Sequence, residues 1–287
     1  MCDVGQNFLW FNQGCSIGCA VCDGNASNPN HRDRCGSGMK STNNDPRFWG
    51  LNRGVVPMSE EDVYQWNPWR SPGNAPVFGP CGAAGGGPRR VPTGSPYIDT
   101  PIARQGDLGT TLPQHPTGIV WRSGGRAEVK LSVRANHGGG YQWRLCAASR
   151  PLTEACFQQT PLNFTRRTWL EFRNGSRVAY DGVYLAEGTA TPYHSANSTW
   201  ALNPFPWTPV QQYGSFEPPC HGGDDRANAT DPRPAPLCEG VFPFGVNVID
   251  ELEVPPVPAG EYVLGLRYDA ENTAQVWTQC ADIVVAS

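Results

Sequence analysis

The chain has 287 residues, 39% of them hydrophobic, with ten Trp, nine Tyr and eleven Phe, which excludes a disordered polymer and allows a sizeable core. Its 33 Gly and 28 Pro, against only 17% charged residues, exclude a helical bundle and favour short strands joined by ordered loops. The net charge of −4 comes with scattered arginines and only Lys40 and Lys130, so no basic stripe awaits a nucleic acid; no apolar run approaches the roughly 20 residues of a membrane span.

Residues 1 to about 60 are rich in Cys, Asn and Gly, hold Cys15-x3-Cys19-x2-Cys22 and Cys35, and lack any sustained period. They read as a loop region stapled by disulfides, with one short helix expected where Ser59 caps Glu60-Glu61-Asp62. Residues 67 to 117 are dense in Pro and Gly but carry aromatics and Cys81, the pattern of a packed irregular loop. Period-2 alternation begins near 118. Ala127 to Ala135 sets Val129, Leu131 and Val133 against Glu128, Lys130 and Ser132, and Tyr141 to Cys146 repeats the pattern after the Gly138-Gly139-Gly140 turn. Further strands are expected over Thr168 to Phe172, Arg177 to Leu185, Gly245 to Val254, Glu261 to Asp269 and Gln275 to Val285, with turns such as Asn174-Gly175 between them. The expected fold is all-β: an immunoglobulin-like or fibronectin-like antiparallel β-sandwich with long disulfide-stapled loops. No internal repeat is evident, so residues 1–287 read as a single domain, loop-rich over 1–117 and mainly strands over 118–287.

Eleven cysteines and five Asn-x-Ser/Thr sequons, at Asn25, Asn163, Asn174, Asn197 and Asn228, predict a secreted or cell-surface glycoprotein carrying N-linked glycans. Cys15, Cys19, Cys22 and Cys35, or Cys220-His221 with Cys238, imitate zinc spacing, but an oxidising route favours disulfides. Met1-Cys2-Asp3-Val4 has neither the basic nor the apolar region of a signal peptide, and the expectation is that an upstream segment precedes it. The odd cysteine either pairs there, stays free, or bonds another chain.

His137 lies just past a strand, at three consecutive glycines, where an imidazole projects from the sandwich end; the plain reading is a turn histidine with no duty. Ala135-Asn-His-Gly-Gly-Gly-Tyr-Gln-Trp-Arg-Leu-Cys146, Leu152-Thr-Glu-Ala-Cys-Phe157 and Trp277-Thr-Gln-Cys-Ala-Asp-Ile283, in that order, resemble the lytic polysaccharide monooxygenases of the chitin-binding type-4 group, of the insect and oomycete type. Cys19-Ala-Val-Cys22 and the loop Asn67-Pro-Trp-Arg-Ser-Pro-Gly to Cys81 are similar to features of that family and its algal relatives. The resemblance implies a copper site, the histidine brace, formed by an N-terminal histidine and a second histidine that His137 matches, with Ala135 as the small residue beside it. Trp277 falls where the family carries an axial Phe or Tyr, and an indole supplies no phenolate. Residue 1 is Met, so the brace is expected to be incomplete in this chain.

The activity so implied is copper-dependent oxidative cleavage of chitin or cellulose. The alternative is a non-catalytic carbohydrate-binding or structural extracellular protein, with self-assembly left open. Adjacent acidic pairs such as Asp250-Glu251 point to opposite faces of a strand and do not make a glycosidase pair. Trp66, Trp69, Trp121, Trp200, Trp207 and Tyr213 are candidates for stacking on sugar rings; the plainer reading packs them beneath the long loops.

Overall fold

The computed structural model of the protein describes residues 11–12, 68–70, 72–73, 77, 79–82, 107–132, 138–172, 174–185, 199–204, 246–270 and 276–287. Two sheets face each other. The larger holds β1 (Phe11–Asn12), β2 (Val120–Arg122), β4 (Gly140–Ala147), β7 (Tyr184–Leu185), β8 (Trp200–Leu202), β10 (Gly260–Asp269) and β11 (Val276–Ala286). Its order is β1-β11-β10-β4-β8-β7, with β2 also on β11. The smaller sheet holds β3 (Arg126–Leu131), β5 (Asn163–Phe172), β6 (Arg177–Ala179) and β9 (Val246–Glu253), ordered β3-β9-β5-β6. Beside two 3-10 turns, Pro68–Arg70 and Gly109–Thr111, the described residues hold one α-helical turn, α1 (Glu154–Phe157), capped by Thr153, whose side chain accepts from the Cys156 N–H. All pairings are antiparallel except β2 with β11. The expected all-β sandwich is therefore the observed fold.

The core follows from the alternation. Ala127, Val129 and Leu131 of β3, Leu170 and Phe172 of β5, and Val248 and Leu252 of β9 pack against Tyr141, Trp143 and Leu145 of β4, Leu264, Leu266 and Tyr268 of β10, and Ile283 and Val285 of β11. On the outer face of the small sheet the opposite residues form a charge ladder, with Glu251 accepting from Arg126 and Arg167, and Arg177 donating to Glu128 and Glu171. Arg167 and Arg177 lie 5.4 and 6.0 Å over the Trp169 ring.

Several boundaries differ from expectation. The segment 177–185 is not one strand: β6 pairs with β5 in the small sheet and β7 with β8 in the large one, so the chain changes sheets across Asp181-Gly182. β5 begins at Asn163, and a register shift between Phe164 and Thr168, with Arg166 at φ 68°, interrupts the alternation there. β2 and β8, three residues each, are too short to show a period. Trp69, Trp121 and Trp200 are buried, which is the packing alternative; Trp66, Trp207 and Tyr213, and the helix expected after Ser59, lie outside the described residues.

Candidate functional site

One end of the large sheet brings together the described parts of two of the matched motifs. Gly140, Asp269 and Val276 stand side by side on β4, β10 and β11, with Leu202 of β8 beyond Gly140. Gly138 and Gly139 turn the chain into β4 at φ 62° and 73°, conformations that a side chain strongly disfavours. Gly140 has a different reason: a Cβ there would collide with the Ala201 carbonyl and the Trp69 ring. The turn is then locked in place. The Tyr268 hydroxyl donates to the Gly138 carbonyl, Asn203 Nδ2 donates to the Tyr268 oxygen at 2.9 Å, and the Asn203 N–H donates to the Gly139 carbonyl at 2.9 Å. Burial holds the Tyr268 phenol well above its usual pKa.

Trp277 belongs to this end. It is the register partner of Tyr268 and, on its other side, of Asn12, and it packs half-buried against the core. His137 and Ala135 lie outside the described residues. Among the sequons, Asn174 is exposed in the β5–β6 turn, where its Oδ1 accepts from the Ser176 N–H at 2.9 Å and hydroxyl at 2.7 Å. Asn163 opens β5, half-buried, next to the inward-facing Phe164. Asn25, Asn197 and Asn228 lie outside the described residues.

Beneath the same end, on the outer face of the large sheet, sits a buried ion cluster that sequence reasoning missed. Arg267 grips Asp269 with two bonds, Nε to Oδ1 at 2.7 Å and Nη2 to Oδ2 at 3.1 Å, and reaches Glu154 Oε1 with Nη1 at 2.8 Å. Arg144 donates to the same Glu154 oxygen. Asp269 also accepts from the Gly73 N–H at 2.9 Å, and the Trp69 N–H donates to the Ala270 carbonyl, so residues 69 and 73 are fastened across the sheet. Trp69 meets Trp200 edge to face, Trp200 underlies Arg267 at 5.8 Å, and Phe157 underlies Arg144 at 5.4 Å. Burial lowers the Arg144 pKa more than its share of Glu154 restores it. Burial also acts against the charge on Arg267, but Asp269 and Glu154 outweigh it and raise its pKa. Burial would raise Glu154, and the two guanidinium groups overcome it and hold that carboxyl below its usual range. Every carboxylate of the cluster is engaged by arginine, so it bolts layers together and offers no free acid or base.

The signal for this cluster was present but ambiguous. Gln142 and Arg144 alternate with Tyr141, Trp143 and Leu145 as a solvated face would, yet all are buried, because α1 and described residues such as Trp69, Gly73 and Cys81 cover that side. Cys146–Cys156 and Cys81–Cys280 are disulfides that pin these two covers to β4 and β11, in agreement with the disulfide reading for these four cysteines. Cys2, Cys15, Cys19, Cys22, Cys35, Cys220 and Cys238 lie outside the described residues.

Of the copper ligands implied by resemblance, the chain supplies His137. Among the described residues no group of three or more His, Cys, Asp or Glu is placed to hold a metal ion. At this end Asp269 is committed to Arg267 and Gly73, and Tyr268 to Gly138 and Asn203. They do not fit a copper centre among themselves, and no chemical step is derived through the metal.

Neither a family model nor a curated protein matches the chain. Among solved structures it is similar to a lytic polysaccharide monooxygenase AA15 from Thermobia domestica in the Cu(I) state, at 14% identity and a TM-score of 0.27, over 58% of this chain and 62% of that one. At that similarity the likeness carries no argument about function. No helix among the described residues is long and apolar enough to cross a membrane.

Proposed function

We propose that the chain is a secreted, N-glycosylated β-sandwich of the polysaccharide-monooxygenase kind, which presents the glycine-rich end of its large sheet to chitin or cellulose. The observation that supports this reading is the register of that end. The turn following His137 and the Trp277 strand, two of the three motifs that carry the resemblance, are joined through Tyr268, which pairs with Trp277 and donates to the Gly138 carbonyl.

Incubation of the purified glycoprotein with insoluble chitin and cellulose tests it. The protein is expected to partition with one of the solids. Failure to bind either solid overturns the polysaccharide reading. Intact mass before and after glycan removal checks the secretory part, with an unmodified chain from the native source counting against it.

A structural, self-assembling protein is the second reading, favoured by one feature: Ile119, Val120 and Val284 are exposed together where β2 pairs with β11. Sedimentation of the same protein over a range of concentrations distinguishes it, because this reading expects mass to grow with concentration and the first expects a constant mass.

A further inference from the structure

A second buried carboxyl lies on the opposite side of the large sheet, between the two sheets, and the site described above does not use it. Asp250 sits on β9 between Val248 and Leu252 on the same inward face, fully buried, with Val129 of β3 and Thr168 of β5 as its register neighbours. From β4, the Tyr141 hydroxyl donates to Asp250 Oδ2 at 2.9 Å and the Trp143 indole lies against the carboxyl. Tyr180 and Tyr184 face it from the segment that changes sheets, and the Thr168 hydroxyl beside it donates away, to the Tyr180 carbonyl at 2.8 Å. Among the described residues Oδ1 has no hydrogen-bond partner. Arg166 stacks 5.9 Å over the Tyr184 ring, and among the described residues no cation pairs with Asp250 itself.

Compare the ion cluster on the other face, where each carboxylate meets guanidinium. An ionised carboxyl taken from water into an apolar core with one good hydrogen bond and no counter-charge pays most of its desolvation cost, and the neutral acid avoids it. We propose that Asp250 is a proton latch built into the sandwich: closing the two sheets takes up one proton at this carboxyl, so the fold holds tightest in mildly acidic medium and loosens as the medium turns alkaline.

The direction follows from linkage. Burial, opposed only by Tyr141 and Trp143, raises the Asp250 pKa from 3.8 to about 7. The unfolded chain has therefore lost this proton above pH 4, whereas the folded chain keeps it until near neutrality. Its stabilising contribution is complete below the unfolded pKa and is lost as pH rises through the folded one. Across that window the folding equilibrium constant falls close to tenfold per pH unit, about 1000-fold in all.

The test is denaturant unfolding between pH 4.5 and 8, disulfides intact, of the wild-type chain and Asp250→Asn. The ratio of the two folding constants should move toward the variant as pH rises and level off above neutrality. A ratio independent of pH overturns the latch. Tyr141→Phe serves if the asparagine variant does not fold: it removes a hydrogen bond that favours the charged form, so the inflection should move to higher pH, and an unmoved or lowered inflection counts against the proposal. Infrared spectra near pH 6 give a separate readout, a protonated-carboxyl stretch in a dry site; its absence from the folded wild type also overturns the latch.

Discussion

Glu154 shows how much depends on one oxygen. Its Oε1 is the acceptor for both Arg144 and Arg267, yet Arg267 keeps Asp269 if Glu154 is removed and Arg144 keeps no carboxylate. Arg144 is fully buried on the Phe157 ring. Glu154→Ala is therefore expected to cost about 3–5 kcal/mol, the penalty of stranding a charge in a dry site, and Arg144→Met combined with it should recover part of the loss. Unfolding by urea of the single and double variants checks this; equal losses would mean that Arg144 finds other partners. The pH dependence has the opposite sign to that of Asp250. Because Glu154 titrates below its usual range in the fold, its contribution is present above the unfolded pKa and disappears as pH falls through the folded one.

At the level of elements, two disulfides attach covers to the sheet with different leverage. Cys146–Cys156 spans 10 residues and ties α1 to β4, whereas Cys81–Cys280 spans 199 and ties the 79–82 segment to β11. In the chain-entropy account the first contributes about 3 kcal/mol and the second about 5. Replacing each pair by alanine should lower the urea midpoint in that order, and the reverse order would show that native packing, more than loop closure, sets their worth. These covers also mark where sequence reading stopped. β3, β4, β9, β10 and β11 were legible from alternation because one face of each meets the core. Alternation reports that the other face is polar, however, and does not report whether water or a strapped loop lies over Arg144 and Arg267. For the candidate site, three consecutive glycines were legible at the turn after His137, but that the last of them makes room for the Trp69 ring was not. The pairing of Trp277 with Tyr268 is a matter of register between strands far apart in sequence, which local pattern does not carry.

For the molecule as a whole, two carboxyls with opposite shifts bracket its stability. Asp250 weakens it toward alkali and Glu154 toward acid, so the most stable range lies between their transitions. The Cys81–Cys280 bond has a further consequence when the chain is pulled by its ends. It closes a covalent ring around every described strand except β1 and the last six residues of β11, so tension entering at Cys81 leaves at Cys280 without loading what lies between. Among the described residues, β1 on β11, Trp69 and Gly73 fastened across the sheet, and Ala281–Ala286 between β10 and β2 lie outside the ring and bear the shear. Under force, the oxidised chain should yield its outer segments and then stop. Adding reductant should release up to roughly 700 Å of hidden length from the 199-residue span, which makes this single bond the mechanical fuse of the sandwich.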